Sequence, residues 1–261
     1  MKIAQRFVDE SLALHWQVDE TKESFSRLME QLEVKSNFKP YFEEAVEEMQ
    51  RHFGSERLKK GITVADIGSG ICWTSAILAN LPYVKHVYSV EPSAERLRHA
   101  ECVFKHLRAP EGKVTILNGN FEEIAITQKI DLFVLCASFH HCYDKYIQEL
   151  FRNIRKLLNP EGRVLIANEH YVNSVWVIKR FISYFKHLGN KKKLGFDLKN
   201  LRSPNPFDGE HWRTIRELKD IFKEEGFTAE FYLHKGDLCK DKPTFYHRAG
   251  WRYYYAILRK E

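Results

Sequence analysis

Asp66-Ile67-Gly68-Ser69-Gly70 closes a short apolar run that begins at Ile62, and a second apolar run, Val87 to Val90, ends in Glu91, 23 residues beyond Gly68. A strand, a glycine turn, a helix and a second strand tipped by an acid make up the βαβ unit of nucleotide sites. Backbone approaches the ligand at the glycines, and the carboxylate receives ribose hydroxyls. The turn departs from the dinucleotide pattern in one respect. That pattern has a third glycine or alanine three residues after the second, where helix and strand pack closely, and Trp73 stands there. A pyrophosphate ligand is therefore disfavoured, and an adenosyl ligand without phosphates remains.

Around this unit, apolar runs alternate with helical patterns. Strands are expected at 62–67, 86–91, 113–117, 130–136 and 162–168, and helices at 73–81, 94–108 and 143–158, which implies a parallel sheet with helices on both faces. The last of these helices carries one apolar stripe, Tyr143, Ile147, Leu150, Phe151, Ile154, Leu157 and Leu158, and Asn159-Pro160-Glu161-Gly162 is read as the turn that stops it. Residues 1–57 read as an amphipathic helical cap, with Phe42, Val46 and Met49 on one side and Glu43, Glu44, Glu47 and Glu48 on the other. Near the end, Thr214 and Glu217 have capping-box spacing, and strands are expected at 227–234 and 250–259.

The stretch from Val64 to Glu169, with an acidic-x-Gly-x-Gly motif at Asp66 to Gly70, resembles the class I S-adenosylmethionine-dependent methyltransferases. The resemblance implies an α/β, Rossmann-like, seven-stranded and mostly parallel sheet of order 3-2-1-4-5-7-6, its last strand antiparallel. The chain is accordingly read as the cap (1–57), an S-adenosylmethionine-binding core (58–170), a basic insertion after the fifth strand (171–213) and a closing helix and hairpin (214–261), the cap and the insertion having no family-wide counterpart. The resemblance also assigns roles. Gly68, Ser69 and Gly70 bring backbone to the cofactor, while Asp66 orders the loop or meets the cofactor's ammonium through water. Glu91 accepts from the ribose 2′ and 3′ hydroxyls. In Asn118-Gly119-Asn120-Phe121, where the family has an acid and an apolar residue, Asn120 would accept from the adenine amino group and Phe121 would stack on the ring. Cys136, at the tip of the fourth strand, completes the cofactor set.

Methyl transfer from a sulfonium is an in-line displacement governed by positioning, and a hydroxyl acceptor also needs a base. Histidines lie where one is wanted: His140 and His141 after the fourth strand, His170 after the fifth, and His211 before the capped helix, whose positive end would keep an imidazole neutral. The candidates for the base rank His141, His211, His170, with Glu169 orienting such a base or accepting from substrate. No histidine or cysteine spacing matches a structural zinc pattern, so no metal is assigned. An oxygen-ligand magnesium site would draw on Glu169 and Asp208.

The net charge of +6 has a location. Nine basic and three acidic residues lie between Tyr171 and Ile215, an excess equal to that of the whole chain. A basic excess confined to one segment points to an anionic partner, although a solvated lysine-rich loop has the same composition. The fourth strand is followed by Ala137-Ser138-Phe139 rather than the proline-rich motif of base-amino methylases, and neither Cys136 nor Cys142 follows a proline as the cytosine C5 nucleophile does. Nucleic acid is therefore disfavoured as substrate, and an anionic small molecule or saccharide is favoured, with O-methylation the expected reaction. RNA and lipid-linked acceptors, and a catalytically silent S-adenosylmethionine-binding partner protein on the same fold, remain the alternatives; a nicotinamide enzyme is a further one. In the insertion, Val175, Ile178, Ile182 and Phe185 share one helical face. That face is read either as a lid over the pocket or as a peripheral membrane contact through 174–187. An odd number of cysteines, five, without a C-x-x-C pair, and no leader or spanning segment, fit reduced thiols in the cytoplasm.

Overall fold

The computed structural model describes residues 22–35, 38–172, 178, 181–182, 185, 213–234 and 251–261. Three helices come first: α1 (Lys22–Glu30), continued by a π-helical turn at Gln31–Lys35, then α2 (Phe38–Phe53) and α3 (Ser55–Lys59). Next come β1 (Ile62–Ile67), α4 (Trp73–Ala79), β2 (Val84–Glu91), α5 (Ala94–Leu97), α6 (Ala100–Leu107), β3 (Val114–Asn118) and β4 (Ile130–Cys136). A 3-10 turn at Phe139–His141 leads to α7 (Asp144–Leu157), β5 (Leu158–Val172), α8 (Ile215–Glu224), β6 (Phe227–Leu233) and β7 (Trp251–Lys260). Among the described residues no helix is long and apolar enough to cross a membrane.

The sheet order is β3-β2-β1-β4-β5-β7-β6, as the resemblance implied. β1 to β5 pair in parallel, and β7 runs antiparallel to both of its neighbours. β4 shows why the sheet needs cover on both sides, because all seven of its residues are buried. Successive side chains of a strand alternate between faces. Phe133 and Leu135 accordingly join the core beneath α7 and α8, with Phe151, Phe222 and Tyr254, whereas Leu132, Val134 and Cys136 join the opposite core with Phe42, Met49 and Trp73. The stripe of α7 buries Ile147, Leu150, Phe151, Ile154 and Leu157. On α2 the buried face is Tyr41, Phe42, Ala45, Val46 and Met49, which ties the N-terminal cap to the sheet's second layer.

Two local expectations differ from what is observed. The helix read across 94–108 is broken after Leu97, where Arg98 N donates to Glu95 O and His99 N to Arg96 O. These are i→i−3 bonds, and they tighten the backbone and interrupt the α ladder. The turn read at Asn159–Gly162 is instead an irregular opening of β5. Ile130 pairs with Leu158 but Leu132 with Arg163, so β5 carries three extra residues there. Asn159 Nδ2 donates to Asp131 Oδ1 at 2.6 Å, and a Cβ on Gly162 would come within 2.9 Å of Asp131 O, so this stretch hugs β4 closely enough to stay in the sheet.

Candidate functional site

In an open α/β sheet the ligand crevice lies beyond the carboxyl ends of the strands where the order reverses, here between β1 and β4. β1 ends at Ile67, and Gly68 and Ser69 both donate their N–H to Val90 O, at 2.8 and 3.1 Å. Gly68 has φ +72°, and a Cβ on it would lie 2.7 Å from Ser138 Cβ. Glycine is thus required there by the approach of the loop after β4, which Ser138 fixes by donating its hydroxyl to Ile67 O at 2.8 Å. Gly70 has φ +57° and nothing within 4 Å of its Cβ position. Its glycine is a matter of backbone conformation, and that side of the loop is open.

Two buried carboxylates brace this turn. Asp66 Oδ2 accepts from Thr74 Oγ1 and Ser75 Oγ, both at 2.6 Å, which anchors the first turn of α4 under the loop. Burial pushes the Asp66 carboxyl up to about 6 against the pull of those two hydroxyls. Its other oxygen, Oδ1, is buried without a hydrogen-bond partner. Glu91 Oε2 accepts from Gly70 N at 2.7 Å and Oε1 from Ser93 N at 3.0 Å. Burial raises its pKa and the nearby Arg96 opposes the rise. Each Glu91 oxygen keeps a lone pair beyond the N–H it receives, the capacity a pair of ribose hydroxyls would use.

A pocket opens over this loop. Gly68, Ser69, Gly70, Cys136 and His141 line it, so five residues singled out from the sequence share one cavity, with Ile71, Trp73, Thr74, Arg96 and Ala137 between them. Its remaining wall comes from Leu28, Leu32 and Phe38. Phe38 packs edge-on against Trp73 with ring centres 5.5 Å apart, so the tryptophan that replaces the third glycine is the seat for the N-terminal cap. Phe121 lies beside the loop, its Cε1 3.7 Å from a Cβ placed on Gly68. The Asn120 side chain is engaged locally instead, where its Oδ1 accepts from Glu122 N at 2.9 Å and Glu123 N at 2.7 Å and closes a turn. Burial holds the Cys136 thiol neutral, well above its ordinary value.

The acceptor edge is organised by Glu169. This carboxylate, 1% exposed, accepts from Ser138 N at 2.8 Å and Phe139 N at 2.7 Å through Oε1. Through Oε2 it accepts from His140 N at 3.3 Å and His140 Nδ1 at 2.8 Å. Four N–H groups thus hold the loop in which Ala137 adopts φ 48°. Because a carboxylate only accepts, the proton of the His140 imidazole belongs on Nδ1. The His140 ring lies 4.1 Å from that of His141 and 5.2 Å from that of His170. Burial, with His140 adding to it, drives His170 well below the usual imidazole range. Arg213 locks the far side: it donates to Cys142 O and Asp144 Oδ1, each at 2.7 Å, and its guanidinium lies 5.2 Å over the Phe139 ring. His211 and Asp208 lie outside the described residues, as does most of the insertion 171–213.

Sequence reasoning missed Leu28, Leu32, Phe38, Arg96, Ser138 and Arg213. Leu28 and Leu32 are four residues apart, the spacing of one helical face, but what that face covers is a tertiary matter. Ser138 and Arg213 carried no local signal at all.

A family model described as a methyltransferase domain matches residues 64–162. The chain is 25% identical over 202 residues to an uncharacterized methyltransferase of Bacillus cytotoxicus, covering 77% of this chain and 82% of that one. A second, from Bacillus licheniformis, is 27% identical over 177 residues, 67% of this chain and 74% of the relative. The matched domain and these relatives support the class I S-adenosylmethionine-dependent methyltransferase superfamily for this chain. Among solved structures, an S-adenosylmethionine-dependent methyltransferase from Clostridium acetobutylicum superposes with a TM-score of 0.58 at 13% identity, covering 91% of this chain and 98% of that one, a likeness of fold. The pocket of this methyltransferase fits its cofactor on two counts. Asp66 Oδ1 is a buried acceptor without a partner beneath the loop, and the Gly70 side of the loop is open.

Proposed function

We propose that this methyltransferase O-methylates an anionic small molecule or saccharide, with a histidine of the turn after β4 removing the hydroxyl proton. Bound S-adenosylmethionine supplies a methyl group on a sulfonium sulfur. The residues that would hold it are the Gly68–Gly70 backbone, Asp66, Glu91, Phe121 and Cys136. Leu28, Leu32 and Phe38 give that pocket an apolar wall, and polar contacts strengthen where such a wall excludes water.

The observation that carries the reading is the Glu169 cradle. It sets the turn that presents His141 to the pocket wall beside the glycine loop, and it holds the neighbouring His140 as an Nδ1–H donor. An imidazole at a pocket wall, next to another paired with a carboxylate, suits a group that must take a proton as the acceptor oxygen attacks. His170 is the weakest of the described histidines for that role, since its protonated form is strongly disfavoured. The basic excess of the insertion supports an acceptor bearing phosphate or carboxylate.

Turnover decides the matter. Purified protein with S-adenosylmethionine and a panel of phosphorylated and carboxylated hydroxyl compounds is expected to release S-adenosylhomocysteine. His141→Ala should lower kcat by about 100-fold or more with cofactor affinity unchanged. Tight cofactor binding without turnover across the panel would support the silent-partner reading instead. Turnover that His141→Ala leaves intact would move the base to another residue.

A further inference from the structure

Between Glu169 and Asp197 the chain carries six basic residues, Lys179, Arg180, Lys186, Lys191, Lys192 and Lys193, and no acidic one. Within that stretch Ile178, Phe181, Ile182 and Phe185 are helical and are 57, 45, 60 and 56% exposed. Positions i, i+3, i+4 and i+7 share one helical face. The rings of Phe181 and Phe185 meet edge-on with centres 4.8 Å apart. Four of the seven large apolar side chains exposed among the described residues are gathered here, which is not the scatter of single apolar residues normal on a soluble surface.

We propose that this face docks on an anionic lipid surface. The four apolar side chains enter the headgroup boundary, and the lysines and the arginine of the same stretch meet the lipid charge. Either contribution alone is weak; an apolar face and a basic cluster in one segment is the combination that gives stable, reversible attachment. Charge also decides against the nearest competitor. A second copy of this chain seated on the same face would bring one acid-free basic stretch against another, and like charges so placed repel.

The placement of the segment gives the docking a consequence. Tyr171 forms a parallel bridge with Arg213, and Arg213 is fixed to Cys142 O and Asp144. Both ends of the insertion are thereby tied to the sheet edge where β4 and β5 finish, the edge that carries His140, His141 and Glu169. A docked insertion is therefore joined at both of its ends to that edge. This inference does not depend on the acceptor being a small molecule or a saccharide.

The experiment is flotation of the full chain through a density gradient with vesicles of phosphatidylcholine alone, or of phosphatidylcholine mixed with phosphatidylglycerol. The protein is expected to float with the mixed vesicles only, and added salt should release it. Ile178→Glu combined with Ile182→Glu should reduce partition by about tenfold or more, because it places charge where apolar surface entered the boundary. Lys179→Gln combined with Arg180→Gln, which leaves the apolar face intact, should reduce it several-fold. Among the described residues, Ile178 and Ile182 do not line the donor pocket, and S-adenosylmethionine affinity equal to that of the parent protein certifies the fold of each variant. Failure to float with the mixed vesicles overturns the proposal. So does flotation that the Ile178/Ile182 variant retains in full, and so does a dimer in vesicle-free solution that this variant dissolves.

Discussion

The donor edge and the acceptor edge of this sheet each turn on a buried glutamate that accepts backbone N–H groups, yet the two are built over different distances. At the donor edge Glu91 receives Gly70 N and Ser93 N, 21 and 2 residues away. At the acceptor edge Glu169 receives Ser138 N, Phe139 N and His140 N, 31, 30 and 29 residues away, and Arg213 reaches 71 residues back to Cys142. The Glu91 brace of the donor edge is therefore a property of one βαβ unit, while the pocket above it takes further walls from the end of β4 and the N-terminal cap. The acceptor edge exists only when β4, β5 and the segment ending at Arg213 have assembled. A site of the second kind can change its acceptor chemistry without disturbing the first.

The largest expected effect tests this separation directly. Glu169→Ala leaves four N–H donors in a buried place without their acceptor, and the turn that carries His141 loses its frame. Turnover should fall by about a thousandfold, of the order seen when a positioned proton-transfer group is lost. Cofactor affinity, measured by calorimetry, should stay within about threefold of the parent value, since the Glu91 bonds are untouched. Equal losses in both would show the two edges to be one cooperative unit.

The same contrast explains what could be read in advance. β1 and β4 were legible to the residue, because continuous apolar runs bounded by turn residues mark buried parallel strands. So was the start of α8: Thr214 accepts from Glu217 N, Glu217 accepts from Thr214 N, and the capping box is complete. Gly68 was legible as a residue but not in its reason, for it is Ser138 across the sheet that leaves no room for a Cβ. The N-terminal cap was legible as an amphipathic face, but not as the wall of the donor pocket. Asn159 to Gly162 misled because proline and glycine favour turns in isolation, whereas here contact with Asp131 holds the stretch in the sheet. Periodicity reports what each segment buries; it is silent on what the segment is buried against.

A second test concerns the donor edge alone and is smaller. Asp66 has a folded-state pKa of about 6 against 3.8 for the free side chain, so between those values the native protein binds more protons than the unfolded one. For a carboxyl raised in this way, stability falls as pH climbs through the interval and is at its lowest above the folded value. The full span corresponds to about 3 kcal/mol. Asp66→Asn has no such titration. Urea denaturation of both proteins from about pH 4 to about pH 7 should therefore show the parent losing roughly that amount relative to the variant. A constant difference between the two across that range would mean that Asp66 titrates normally and that its burial is relieved in solution. If the strain is real, the cofactor's ammonium would meet the ionised form, and binding near pH 6 should release a proton.

The smallest effect separates two uses of one side chain. The family pattern gives Asn120 the adenine amino group as its donor, but its Oδ1 already receives Glu122 N and Glu123 N. Two N–H donors occupy both lone pairs of an amide oxygen, which leaves nothing for a third. Asn120→Ala should then lower stability by about 1 kcal/mol, as loss of a local side-chain cap does, and leave cofactor affinity within about threefold. Asn120→Asp, which keeps the acceptor, should restore the stability. Were adenine instead served by this oxygen, affinity would fall further than stability, and the turn at Glu122 and Glu123 would have to reopen when the cofactor binds. The first outcome leaves Phe121, which lies beside Gly68, as the side chain of this segment placed to meet the adenine, through its face and not through a polar atom.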